Sequence, residues 1–217
     1  LLAQTLAGIR SALDEQGAKL IGGHTMESRS ISPLPASLGV EVTLTVNGKS
    51  SQSPWLKSGL RAGDVLLISR PLGTGVLFAG AMSGVTKAAD LDAALQTMAS
   101  SQHMLLEQIE PIRGGIHACT DITGFGLLGH LSEMLESNQG LTVQLDGSAI
   151  RTYPGALELF EAGVSSSLAP SNRTAWRWLE GPIQLRKHPS PALLELLVDP
   201  QTCGPLLLAC TREAAAQ

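Results

Sequence analysis

The stretch Thr120-Asp121-Ile122-Thr123-Gly124-Phe125-Gly126-Leu127-Leu128-Gly129-His130 decides how this chain is read. Ahead of it, residues 116–119 form a short apolar run. Behind it, Leu127, Leu128, Leu131, Met134 and Leu135 share one helical face. The stretch is therefore expected to pass from the end of a strand through a glycine turn, residues 121–126, into a helix. That order has chemical meaning. A carboxylate at the C-terminal end of a strand can coordinate Mg²⁺, and Gly124 and Gly126 let backbone N–H groups approach phosphate oxygens near a helix N-terminus. Asp121 can equally cap the following turn, a role in which Asp is common.

Moving toward the N-terminus, Leu91, Leu95, Met98, Leu105 and Ile109 read as one long helix. Residues 65–68 read as a buried strand, broken by Pro71-Leu72-Gly73-Thr74-Gly75 before a helix over residues 76–82. Residues 47–60 are rich in Ser, Gly and Pro and mark a boundary between two lobes. Before that boundary, Leu2, Leu6, Ile9 and Leu13 lie on one helical face that Gly17 terminates. Short strands are expected at residues 18–21 and, from the alternation of Val40, Val42, Leu44 and Val46, at 38–46, with a loop over 26–37. Toward the C-terminus come a strand at 141–145, a helix near 154–162, a helix near 191–197 capped by Ser190 with Pro191 in its first turn, and a last strand at 206–210. Irregularly interleaved helices and strands predict an α+β fold.

Composition narrows the function classes. A chain of 217 residues with 43% hydrophobic content can bury a sizeable core. Its net charge of -4, with no basic cluster, offers no footprint for nucleic acid or an anionic membrane. No apolar run approaches the roughly 20 residues that span a bilayer, so a cytoplasmic protein is expected. Cys119, Cys203 and Cys210 form no CxxC pair and read as buried small side chains rather than disulfide or zinc ligands. His103, His117 and His188 lack paired ligand spacing, and His130 reads as structural. Trp176 and Trp178, with Arg173 and Arg177 nearby, read as packing residues rather than a base-stacking platform. Opening on Leu1 within an amphipathic pattern, the chain is expected to be a piece of a longer one.

One more loop could meet a phosphate. Gly22-Gly23-His24-Thr25 combines two residues free to take positive φ with two side-chain donors, although Gly-Gly is also a common turn pair.

Taken together, the run 120–130, the loop 22–25, the segments 59–64 and 70–77, and Asp199-Pro200-Gln201-Thr202 resemble, in order and spacing, the selenophosphate synthetases (selenide, water dikinases) of the PurM-like superfamily. The resemblance implies a PurM-like two-domain architecture. Residues 1–50 would be the remnant of an N-terminal ATP-binding lobe, 51–63 a linker, and 64–217 most of a C-terminal lobe. It further implies that Asp121 is a magnesium ligand and that Gly22, Gly23, His24 and Thr25 contact ATP. The implied substrates are ATP, selenide and water, and the implied partner is a second copy of the same chain. The reactive Cys or selenocysteine and its Lys belong to a front region outside these residues. No catalytic residue is therefore assigned within the 217, and the chain alone is expected to be inactive. The pattern departs from the family at Cys203, where Ser is usual, and at Pro205, where Gly is usual; proline removes an N–H donor. A non-catalytic ATP-binding or scaffolding module, or another PurM-like ATP-dependent enzyme, is the alternative.

Overall fold

A computed structural model describes residues 1–26, 42–50, 52–138, 140–178, 183–186 and 189–217, with the backbone alone over 175–178. It divides into two units, Leu1–Ser53 with Ser101–Leu105, and Pro54–Ser100 with Leu106–Gln217.

In the first unit, α1 (Leu2–Asp14) carries the expected Leu2, Leu6, Ile9 and Leu13 face. Gly17 ends it in the left-handed region at φ 63, a conformation that costs glycine nothing sterically. The expected strand at 18–21 does not form. Residues 18–26 and 42–50 lie outside any helix or strand, and Val42, Leu44 and Val46 are exposed. Alternation alone does not make a strand, because each strand needs a neighbour to take its backbone N–H and C=O groups. Most of the expected 26–37 loop, and residues 38–41 of the expected second strand, lie outside the described residues.

The second unit opens with β1 (Val65–Ile68) and α2 (Thr74–Met82), followed by α3 (Ala88–Ala99). The long helix expected over residues 91–109 is broken. Ser100 turns extended (ψ 127) and its carbonyl accepts from the buried Arg70 guanidinium, so α4 (His103–Ile109) is separate. A 3-10 turn at Glu110–Gly115 leads to β2 (Ile116–Asp121) and α5 (Gly126–Glu136). Then come β3 (Val143–Asp146), a 3-10 turn at Gly147–Ala149, α6 (Ala156–Glu161), α7 (Ala169–Trp178) and β4 (Ile183–Arg186). The chain closes with α8 (Pro191–Val198), β5 (Leu206–Cys210) and α9 (Arg212–Ala215). As read from the sequence, the Ser190 hydroxyl caps α8 by accepting from the Leu193 N–H at 3.2 Å. Unanticipated were α7, which is polar and holds Pro170, together with the four-residue β4 and the short α9.

The sheet order is β1-β5-β2, with β5 antiparallel to both neighbours; β3 and β4 form a separate parallel pair. This is the mixed, irregular layering of an α+β fold. Central β5 reads Leu-Leu-Leu-Ala-Cys because both faces are covered. Leu207 and Ala209 join the main core with Leu77, Leu128, Met134 and Leu196, whereas Leu208 and Cys210 join Ile116 and Ala214 in a smaller cluster on the other face. Each fully buried leucine contributes about 1.5–3 kcal/mol. Among the described residues, no helix is long and apolar enough to cross a membrane.

Candidate metal and nucleotide site

Asp121 closes β2, paired with Leu206 of β5, and its side chain is exposed. The strand's burial alternates, so Ala118 and Thr120 point into the core and Cys119 and Asp121 away from it. Immediately afterwards Ile122 plunges into the core, and its N–H donates to the carbonyl of Pro205 at 2.8 Å.

From there the turn is held from behind by the segment 198–205. Thr123 O accepts from the Gly126 N–H at 3.0 Å and from the Gln201 N–H at 2.9 Å. The buried Asn172 amide of α7 donates to Gly124 O at 2.8 Å and to Val198 O at 2.9 Å. Gly126 has φ 69, and a Cβ there would stand 2.8 Å from the Val198 carbonyl carbon. A Cβ on Gly204 would run into the carbonyl oxygen of Ile122. Glycine at 126 and 204 is therefore a requirement of close backbone approach. Gly124, by contrast, faces open space.

The side chains of the 199–202 motif do different work. Asp199 is fully buried; its Oδ2 accepts from the Val76 N–H at 3.2 Å and from Gln201 Nε2 at 3.0 Å. Gln201 Oε1 accepts from the N–H groups of Gly73 (2.9 Å) and Thr74 (3.2 Å) and from the Thr74 hydroxyl. These bonds satisfy donors at the start of α2, so that helix end is capped internally rather than open to an anion. Burial pushes the Asp199 carboxyl up to about 7, against the lowering pull of the Val76, Gln201 and Gly75 hydrogen bonds.

A second set of contacts enters the turn from α5. Thr123 Oγ1 lies 3.2 Å from His130 Nε2, His130 Nδ1 lies 3.1 Å from Glu133 Oε2, and Glu133 Oε2 accepts from Lys57 Nζ at 2.8 Å. His130, read from the sequence as structural, is buried with Leu127 and Leu131, and Thr123 and Glu133 satisfy both its ring nitrogens. The exposed Phe125 ring leans on it, 5.7 Å between centroids.

Other expectations resolve simply. Both ring nitrogens of His117 have protein neighbours, Asp64 Oδ1 at 2.8 Å and Arg61 Nη1 at 3.0 Å. The cysteines are free; Cys210 is buried and Cys119 partly so, but Cys203 is exposed, against the reading of all three as buried. It takes φ 51 and contacts Arg70 Nη1 through its carbonyl and its sulfur, at 3.3 and 3.4 Å. Burial, with Asp121's charge adding, raises the Cys119 thiol to about 11, so it is not a thiolate at neutral pH. His188 and the side chains of Trp176, Arg177 and Trp178 lie outside the described residues. Gly22, Gly23, His24 and Thr25 are exposed and outside helix and strand, in the first unit; Asp121 is in the second.

Asp121 is a hard oxygen donor suited to Mg²⁺, which prefers a few carboxylates plus water and phosphate oxygens. Among the described residues there is no cluster of three or more His, Cys, Asp or Glu side chains that could hold a metal ion. Residues 61–217 match the C-terminal domain described as AIR synthase related protein. The chain belongs to the AIR synthase related family. Within this family setting, the chain is 32% identical over its whole length to a protein named selenide, water dikinase from Bdellovibrio bacteriovorus. It is 34% identical over 98% of its length to one of the same name from Desulfitobacterium hafniense. It spans 58% and 59% of those two proteins' own lengths. Among solved structures, hydrogenase maturation protein HypE aligns at TM-score 0.46 and 20% identity, covering 74% of this chain and 39% of HypE.

Sequence reasoning singled out Asp121 but not Asn172, Glu133 and Lys57, whose contacts lead to its turn. The Glu133 contact had a local signal, its i+3 spacing from His130 on α5. Asn172 had none, because its partners lie 48 and 26 residues away.

Proposed function

We propose that this chain is the rear portion of a selenide, water dikinase, which converts ATP, selenide and water to selenophosphate, AMP and phosphate. The observation that supports it best is the match along the whole chain to proteins of that name at 32% and 34% identity. In this reading Asp121 is a magnesium ligand, and Gly22, Gly23, His24 and Thr25 contact ATP through backbone and side-chain donors. Mg²⁺ would neutralise charge on the phosphates during transfer. The chain's own contribution is to hold Asp121 still. Its carboxylate is exposed at a strand end, while the turn behind it is fixed by carbonyl and amide contacts to 198–205. Intact copies would pair as a homodimer.

The alternative of a degenerate module rested on Pro205. Its carbonyl, which proline retains, is the group that receives the Ile122 N–H, so that contact to the turn is kept. Production of AMP from ATP that depends on selenide, in a protein comprising this chain and its front region, tests the activity. Loss of that dependence in Asp121→Ala tests the ligand. Selenide-independent AMP release, or full activity in the variant, would overturn the corresponding assignment.

A further inference from the structure

The contacts from Lys57 to Thr123 cross from an exposed ammonium to a hydroxyl inside the turn that carries Asp121. Each step has a definite sense. Hydrogen bonding to Lys57 lowers the Glu133 carboxyl below its usual range, so Glu133 is ionised and can only accept. His130 Nδ1 must then carry the proton it gives to Glu133. In the neutral imidazole Nε2 is left as an acceptor, and the Thr123 hydroxyl donates to it. Thr123's side chain is thus pinned from the α5 side, while its backbone carbonyl is pinned by Gly126 and Gln201 from the other.

Lys57 is placed by the edge of the sheet. The Cys119 N–H of β2 donates to Leu56 O at 2.9 Å, and a Cβ on Gly59 would strike His117 O, so residues 56–59 run along β2 and bring Lys57 beside its end. Asp121's negative charge adds to the effect of Glu133 in raising the Lys57 ammonium, as that placement requires.

We propose that Glu133 and His130 are positioning residues for the Asp121 turn, acting through Thr123, with Lys57 as the exposed end that keeps Glu133 oriented. The claim about metal rests on the reading of Asp121 given above; the claim about the turn does not. Exposed ion pairs are weak, whereas a buried imidazole hydrogen-bonded on both sides is not easily replaced. The effect is therefore graded, with Thr123→Val and Glu133→Gln acting strongly and Lys57→Gln weakly.

The test is amide hydrogen exchange and Mn²⁺-induced NMR line broadening on the 217-residue chain and these variants. The Gly126 and Gln201 amides, both bonded to Thr123 O, should exchange about five-fold or more faster in Thr123→Val and Glu133→Gln. Amides of Leu207 and Ala209 in β5 should not change. Thr123→Ser and Lys57→Arg should restore wild-type exchange, and the imidazole ¹⁵N shifts should show a protonated Nδ1. Broadening of the Asp121 and Ile122 amides by Mn²⁺ should require several-fold more metal in Thr123→Val and Glu133→Gln. Unchanged Gly126 and Gln201 exchange, equal acceleration in β5, or a His130 protonated on Nε2 alone would each overturn the proposal. Broadening of the Asp121 and Ile122 amides that needs no more Mn²⁺ in Thr123→Val and Glu133→Gln than in the wild type would instead remove the claim about metal and leave the exchange result standing.

Discussion

The N–H of Ile122 donates to the carbonyl of Pro205 across 2.8 Å, one residue beyond Asp121 and one residue before β5. This bond continues the β2-β5 ladder past the strand end, where Asp121 already faces Leu206. The metal-ligand candidate is consequently the last residue of a supported strand rather than the first of a loose loop.

Pro205→Gly should therefore leave this contact in place. Its cost is the added freedom of the unfolded chain, about 0.4–1 kcal/mol of stability. Urea denaturation would measure it. A loss above 2 kcal/mol would mean that the ring itself packs in a way the carbonyl contact does not express.

Asn172 presents a sharper case, because one buried amide group serves two carbonyls. Asn172→Ala leaves both Gly124 O and Val198 O unpaired, at a cost of about 1–3 kcal/mol. Asn172→Asp places an acceptor against two acceptors and should be worse at neutral pH, with part of the loss recovered in acid as the carboxyl gains a proton. Equal melting temperatures for the two variants across pH would contradict this assignment.

These bonds also show what the sequence could and could not say. Strands β1, β2 and β5 and helices α2, α5 and α8 were readable because apolar runs and periodicities are local, and so was the strand-turn-helix setting of Asp121. Strand 18–21 was not, since a short apolar run takes its structure from whether a neighbour is present. The break at Ser100 depends on Arg70, 30 residues away, and the grip on Gly124 on Asn172, 48 away. Neither leaves a local pattern.

Gly124 and Gly126 read alike in sequence, but the structure separates them. Gly126 sits at φ 69 against the Val198 carbonyl, so Gly126→Ala should cost about 1–3 kcal/mol. Gly124 has negative φ and open space around its Cα, so Gly124→Ala should fall within about 0.5 kcal/mol of wild type. Thermal melts of the two variants side by side would reveal the difference, and a tolerated alanine at 126 would mean that the turn can shift away from 198.

Asp199 links the fold to pH. It is fully buried, and the nearby Glu195 adds a further upward push to a carboxyl already raised by burial. A carboxyl at about 7 when folded and near 3.8 in its ordinary state favours the protonated, folded form. That stabilisation is complete below pH 4 and declines as pH rises through 7, by at most about 4 kcal/mol. Asp199→Asn removes the titration and keeps the shape, with the amide oxygen still able to accept from Val76. Its stability should vary less than that of the wild type between pH 5 and 8, and its relative stability should improve toward pH 8. Urea midpoints measured at intervals over that range decide it: parallel curves for the two proteins would show that Asp199 keeps its charge in the folded state and is held by more donors than Val76, Gly75 and Gln201 supply.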